Sequence, residues 1–309
     1  MAGRWTAADM PDQTGRVAVV TGANSGLGLV TSRELARAGA DVVMACRNME
    51  KGQAAAEDVS AAASGGEVRL EQLDLADLGS VAAFTDRLSG DRVDILVNNA
   101  GLMAPPRQLT ADGFESQFGT NHLGHFALTG RLLDRLLAAP DPRVVTVSSQ
   151  AHRTGKISFS DLQGERRYIR WLAYGQSKLA NLMFCFELQR RSAEAGSALR
   201  SVAAHPGYSR TNLQFAAPPW YEQAIMSVTN VLVGQSAEKG ALPSLYAATF
   251  LDLPGGSFVG PDGPFESRGY PRVVGAARRA YDEKIWARLW EVSEDLTGVR
   301  YEFAAGAPA

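Results

Sequence analysis

Cysteine is scarce in this chain. Its 309 residues hold only Cys46 and Cys185, with no C-x-x-C. Two isolated thiols cannot build a disulfide framework, which points to a reducing, intracellular compartment. Histidine is almost as rare, at four residues. His122 and His125 have a spacing that metal sites can use, but no Glu or Cys cluster joins them, so packing or surface histidines are expected. No apolar run approaches the ~20 residues that span a bilayer, and the first ten residues lack the apolar core of a signal peptide. The formal net charge is only −2, which leaves no global argument for a nucleic-acid partner or an anionic membrane. A G-x-S-x-G is missing, so an α/β-hydrolase serine is unsupported. Internal repeats are also missing. The expectation is a soluble, cytoplasmic protein without a transmembrane segment.

What is present is an ordinary globular balance, with 45% hydrophobic and 21% charged residues. The length suits one large α/β domain or two small ones. Short β-branched runs alternate with amphipathic stretches. Strands are expected at 17–21, 41–45, 67–73, 93–97, 144–147, 199–204 and 257–259. Helices are expected at about 27–38, 50–63, 77–89, 111–138, 172–194 and 236–250, with one more over 275–296. Continuous apolar strands between amphipathic helices imply a parallel sheet covered on both faces. The expected fold is therefore α/β: a doubly wound, Rossmann-type sheet of about seven strands, with ligands at the strands' carboxyl ends. One domain is expected over 1–309, with its core at about 16–260 and a C-terminal helical extension over 261–309.

The first strand runs into Thr21-Gly22-Ala23-Asn24-Ser25-Gly26-Leu27-Gly28. Glycines at 22, 26 and 28 allow a tight turn and let backbone N–H groups approach a pyrophosphate. The helix that follows presents its N-terminus to that anion. Asn24, Ser25 and Leu27 lie in the same turn and join the glycines as candidate cofactor contacts. NAD sites usually carry an acid ~20 residues on to bind the ribose 2′-OH. Here strand two ends Met44-Ala45-Cys46-Arg47-Asn48, without a carboxylate. Arg47 can pair with a 2′-phosphate instead, so NADP is expected over NAD. Asp74, followed by Leu75, ends strand three. It can accept from an adenine amino group or cap the helix that starts near Asp77. Asn98-Asn99-Ala100-Gly101 ends strand four, where it can tie neighbouring strands together and also wall the nucleotide.

Tyr174 and Lys178 stand four apart, on one face of an expected helix. A phenol holds its proton near pH ~10, and a neighbouring ammonium lowers that value. Such a tyrosine can exchange a proton with an alcohol or a carbonyl. Strand five ends in Ser148-Ser149, where a serine can bond a substrate oxygen or simply cap a turn. Asn121 falls inside the long helix before that strand, which suggests a kink, a bound water or an exposed face.

Taken together, Thr21-Gly22-x-x-x-Gly26-x-Gly28, Asn98-Asn99-Ala100-Gly101, Asn121, Ser149, Tyr174-x-x-x-Lys178 and Pro206-Gly207-x-x-x-Thr211 resemble the short-chain dehydrogenase/reductase family, in its order, across residues 16–260. Ala45-Cys46-Arg47-Asn48, the stretch Phe118 to Phe126, and Ser177-Lys178-Leu179-Ala180-Asn181 are similar to its retinol-dehydrogenase-like and WW-domain-oxidoreductase-like branch. The resemblance implies that Tyr174 is the general acid in reduction and the general base in oxidation. It implies that Lys178 lowers the phenol pKa and binds the nicotinamide ribose. Ser149 would orient the carbonyl, and is taken over Ser148 because the family places its serine second in such a pair. Asn121 would hold a water that links Lys178 to solvent. Thr211, beside Pro206 and Gly207, would bond the carboxamide.

The expected function is NADP-dependent interconversion of an alcohol and a carbonyl on an apolar small molecule. The alternatives are an NADPH-binding redox sensor or scaffold with little catalysis, and a C=C reductase of the same family. Residues 213–233, with Phe215, Trp220, Tyr221 and Ile225, form an apolar segment that reads equally as a substrate lid or as an interface. Many relatives are homodimers or homotetramers, and the tail beyond 261 could block one such interface.

Overall fold

The computed structural model describes residues 4–208 and 235–303; Thr211 and the segment 213–233 lie outside the described residues. Eight strands form one sheet in the order β3-β2-β1-β4-β5-β6-β7-β8. They are β1 Val17–Thr21, β2 Asp41–Cys46, β3 Val68–Gln72, β4 Ile95–Asn98, β5 Arg143–Val147, β6 Arg200–Ala204, β7 Phe258–Pro261 and β8 Pro271–Val273. Seven run parallel, and only β8 is antiparallel, on β7. The sequence suggests about seven strands. The eighth is three residues long and mostly exposed, so no apolar run marks it.

The helices are α1 Gly26–Arg37, α2 Met49–Ala62, α3 Leu78–Arg87, α4 Ser116–Phe118, α5 Gly124–Arg131, α6 Leu133–Leu137, α7 Arg170–Glu194, α8 Ala237–Thr249 and α9 Glu283–Thr297. They cover both faces. Val20, Val42, Met44, Val97 and Val145 pack on one side with Leu35 of α1 and Leu245 of α8. The alternate residues Val19, Val43, Leu96 and Val144 pack on the other with Phe84 of α3, Phe126 of α5 and Phe184 of α7. Successive strand side chains point to opposite faces, which is why the strands read as unbroken apolar runs.

The expected helix over 111–138 is corrected. Residues 111–113 form a turn, and the helix starts at Ser116, where buried Glu115 accepts from the N–H groups of Gln117 and Phe118 at 2.8 and 2.9 Å. Gly119–Leu123 then widens into a π-helical turn before α5. A π turn inside a helix displaces one residue outward and is often found at functional sites; Asn121 is its middle residue.

The segment beyond 261 is not an outlying appendage. Trp290 of α9, Val299 and Tyr301 join the core beside Phe126 and Phe184. His122 of the π turn donates from Nε2 to Ser293 Oγ in α9 at 2.9 Å, because that hydroxyl already donates to Leu289 O. Among the described residues, no helix is long and apolar enough to cross a membrane.

Candidate active site

The strand order reverses between β1 and β4, and in open α/β sheets the crevice at that point binds ligands. A cleft of about 560 Å³ opens there, walled by the loops at the carboxyl ends of β1 to β6. The turn after β1 supplies Gly22, Asn24, Ser25, Gly26 and Leu27, and Arg47 lines the same cleft after β2. Gly22 and Gly26 have φ of 66° and 55°, the left-handed region open to glycine. Gly28 is buried behind the turn rather than facing the cleft. A Cβ there would overlap the Gly22 carbonyl, so only glycine lets α1 start so close to β1. Ser25 is the N-cap of α1, and its side chain makes no cap bond. These features fit a dinucleotide. Missing Cβ atoms leave the turn's backbone open to a pyrophosphate at a helix N-terminus, and the exposed residue Arg47 lines the same cleft.

Asp74 and Leu75 also line the cleft. Of the two roles open to Asp74, helix capping falls to Asp77, whose carboxylate accepts from Gly79 and Ser80 N–H. Asp74 bonds Ala76 N–H at 2.9 Å. Of the Asn98–Gly101 motif, Asn99, Ala100 and Gly101 reach the cleft, and Asn98 does not. Asn98 is buried and donates to Thr129 Oγ1 at 3.0 Å, away from the cleft lining. Asn99 donates to Thr21 O at 2.7 Å and ties the β4 loop to the β1 turn.

Tyr174 and Lys178 occupy successive turns of α7, 6% and 4% exposed, and both line the cleft. Lys178 Nζ donates to Val147 O at 3.1 Å and lies 5.8 Å from the Tyr174 ring centroid. Tyr174 and Ser149 line the same cleft. Ser148 donates to Lys178 O at 2.8 Å, which turns its hydroxyl toward α7, whereas Ser149 acts on the Tyr174 phenol. Burial pushes the Tyr174 phenol up to about 12, with Ser149 acting the other way. Burial also pulls the Lys178 ammonium down to about 8. The phenol is therefore raised, not lowered as expected, and burial is the largest cause.

Asn121 sits behind the cleft wall, fully buried. Its amide donates to Leu102 O at 3.0 Å and Ser177 Oγ at 2.9 Å, and its Oδ1 accepts Leu102 N–H at 2.7 Å. Both amide protons are used, so any water that Asn121 holds must donate to it. Its backbone carbonyl accepts from His125 Nδ1 at 3.0 Å. Thr21 Oγ1 accepts from two backbone N–H groups and donates to His125 Nε2, so this histidine is neutral with its proton on Nδ1. Neither His122 nor His125 belongs to a metal cluster, and none is found among the described residues.

Burial holds His122 down at about 3 and His125 and His152 at about 4. An unfolded histidine takes a proton near ~6.5, so below that pH the unfolded chain binds protons that the native chain refuses. Stability should then fall as pH drops from about 6.5 toward 4, before most carboxylates titrate. Urea midpoints measured at steps from pH 7.5 to 5 check this, and a flat profile would contradict it.

Pro206 and Gly207 line the cleft opposite the glycine turn. Its apolar walls include Leu102, Met103, Trp171 and Tyr208, which sequence reasoning did not identify. Trp171 is 41% exposed and meets Tyr174 edge to face at 6.3 Å. Its position one turn before Tyr174 on the same helix was the only available hint.

The family model described as short chain dehydrogenase matches residues 16–222. Retinol dehydrogenase 12 of Mus musculus is 40% identical over 292 residues, with 93% of this chain and 88% of that protein covered. A crystal structure of an uncharacterized protein from Mycobacterium Paratuberculosis is 52% identical with a TM-score of 0.82, covering 97% of this chain and all of that one. A structure called an NAD(P) dependent gluconate 5-dehydrogenase, from Beutenbergia cavernae with bound NADP, is 26% identical with a TM-score of 0.62, covering 80% and 96%. Its sheet, its cleft and these matches make this chain a member of the short chain dehydrogenase family and an oxidoreductase.

Proposed function

We propose that the protein interconverts an alcohol and a carbonyl on an apolar small molecule, using NADP in preference to NAD. The observation that carries this is one cleft walled both by Arg47 and the glycine turn and by Tyr174, Ser149 and Lys178. The dinucleotide supplies the hydride. Gly22, Asn24, Ser25, Gly26 and Leu27 hold its pyrophosphate end, with Gly28 shaping the turn from behind. Asp74, Leu75, Asn99, Ala100 and Gly101 wall its adenosine. Lys178, Pro206, Gly207 and Thr211 bind its nicotinamide half.

Tyr174 holds its proton at neutral pH as any phenol does, and burial raises it further. That suits it to give the proton to a carbonyl oxygen as charge develops there. Ser149 donates a second hydrogen bond to the same oxygen. Lys178, already bonded to Val147 O, keeps a cation beside the phenol and favours its return to phenolate in the oxidative direction. Asn121 pins Leu102 and the β4 loop and so fixes the wall against which the substrate packs. Leu102, Met103, Trp171 and Tyr208 exclude water and select an apolar substrate. The name of the retinol dehydrogenase relative points the same way.

Consumption of NADPH with a panel of apolar aldehydes and ketones, with the alcohol identified as product, tests the reaction. Reduction of a C=C bond instead would overturn it. Arg47→Ala should weaken NADPH by on the order of 10- to 100-fold, the worth of a hydrogen bond between charged groups, and leave NADH nearly unchanged. Equal losses for both nucleotides, measured by titration, would remove the NADP preference.

A further inference from the structure

Glu266 lies in the turn Pro264–Glu266, which follows β7. Phe265 and Glu266 both have φ of 53°, a costly conformation for residues with side chains. Phe265 is almost fully exposed, whereas the Glu266 side chain is only 17% exposed and turned inward. Its carboxylate gathers the loops that follow three strands. Gln150 Nε2, after β5, donates to Oε2 at 2.6 Å. His205 Nε2, after β6, donates to the same oxygen at 3.1 Å. Arg153 reaches Oε1 at 3.3 Å. These bonds, that of His205 foremost, hold the carboxyl down at about 2 against burial, so it is ionised at any working pH.

His205 passes the carboxylate's hold onward. Gly207 N–H donates to its Nδ1 at 3.2 Å, so that nitrogen carries no proton and Nε2 carries the one aimed at Glu266. The ring fits because Gly260, beside it on β7, lacks a Cβ that would overlap Nε2. Ser149, Gln150, Pro206 and Gly207 all line the cleft. Arg47 stands at its other end.

We propose that Glu266 is a positioning residue: through His205 and Gln150, its carboxylate sets the Pro206–Gly207 turn and the Ser149 loop as the two walls that receive the nicotinamide end of the dinucleotide. This rests on reading the cleft as an NADP site. Glu266→Gln keeps the shape but replaces an acceptor oxygen with an NH₂ group. With its amide oxygen in the place of Oε2 the glutamine still accepts from Gln150 and His205, but without the charge, and its NH₂ group repels the Arg153 guanidinium.

The test is calorimetric titration with two probes: NADPH, and adenosine 2′,5′-bisphosphate, which carries the phosphorylated ribose but no nicotinamide. Glu266→Gln is expected to weaken NADPH by roughly tenfold or more, the worth of one hydrogen bond to a charged group, and to leave the bisphosphate unchanged. Equal weakening of both probes would show a role in folding only, and no change in either would remove the role; both overturn the proposal. His205→Asn, which breaks the link to Glu266, should repeat the selective loss, and the double variant should lose little more than either single one. Additive losses would refute the relay through His205. If Glu266→Gln does not fold, His205→Asn is read in the same two titrations by the same criteria. A wild-type chain that binds neither probe would instead bring down the dinucleotide reading, and the proposal with it.

Discussion

Tyr174→Phe is expected to lower turnover by roughly 10²- to 10⁴-fold, the range for loss of a positioned general acid, while NADPH binding is unchanged. The substitution removes one oxygen and leaves the ring packed against Trp171 and beside Lys178. The phenol is 6% exposed, and burial pushes it up to about 12. Water therefore does not easily replace it as proton donor, and the nearby Lys178 ammonium is engaged with Val147 O. Ser149 remains and can still bond the carbonyl oxygen, but a hydroxyl near Ser149 is too weak an acid to finish the transfer. Steady-state rates and cofactor titration on the same preparation check the prediction. Retained turnover would remove Tyr174 from the reaction, and a parallel loss of NADPH binding would recast it as a cofactor ligand alone.

Trp290→Ala, in α9, should destabilise the protein by about 3–5 kcal/mol, the usual cost of deleting a large buried aromatic. Trp290 is 2% exposed. It stacks on Phe184 of α7 at 5.8 Å and meets Phe126 of α5 edge to face at 5.0 Å. The Arg191 guanidinium covers it at 4.5 Å, and its indole N–H donates to Glu294 at 3.0 Å. The indole thus closes the core that α5 and α7 share, and α9 also takes the His122 bond from the π turn around Asn121. Turnover should fall along with stability, because that turn holds Leu102 in place. Urea unfolding monitored by circular dichroism measures the loss. A change below ~1 kcal/mol, the scale of an ordinary substitution, would show that the segment beyond 261 is an accessory to a core complete without it.

The regular elements with strong patterns were legible from residues alone. The apolar runs at 17–21, 41–45 and 144–147 became the parallel strands β1, β2 and β5, and the glycines at 22, 26 and 28 became the turn before α1. The start of the helix before Asn121 was not legible. Its N-cap is a buried glutamate, Glu115, rather than one of the usual small polar residues, and residues 111–113, Ala-Asp-Gly, form a turn with Gly113 at a φ of 82°. Nor was the direction of Asn98 legible. Period-two alternation sends Asn98 and Asn99 to opposite sides, and only packing against Thr129 shows which one is buried.

The sequence by itself determined the class of chemistry. The order and spacing of the glycine turn, Ser149, Tyr174 and Lys178 are local facts, because a helix or a tight turn spaces its own residues. Arg47 in place of an acid at the end of β2 is equally local, and it carries the cofactor expectation. Only the tertiary structure decided how these parts are held and charged. Burial is a property of everything packed around a group, so the rise of the Tyr174 phenol could not be read from a four-residue spacing. For the same reason the bracing of the cleft by Glu266 and His205, residues 61 apart in the chain, appears only once β6 and β7 lie side by side.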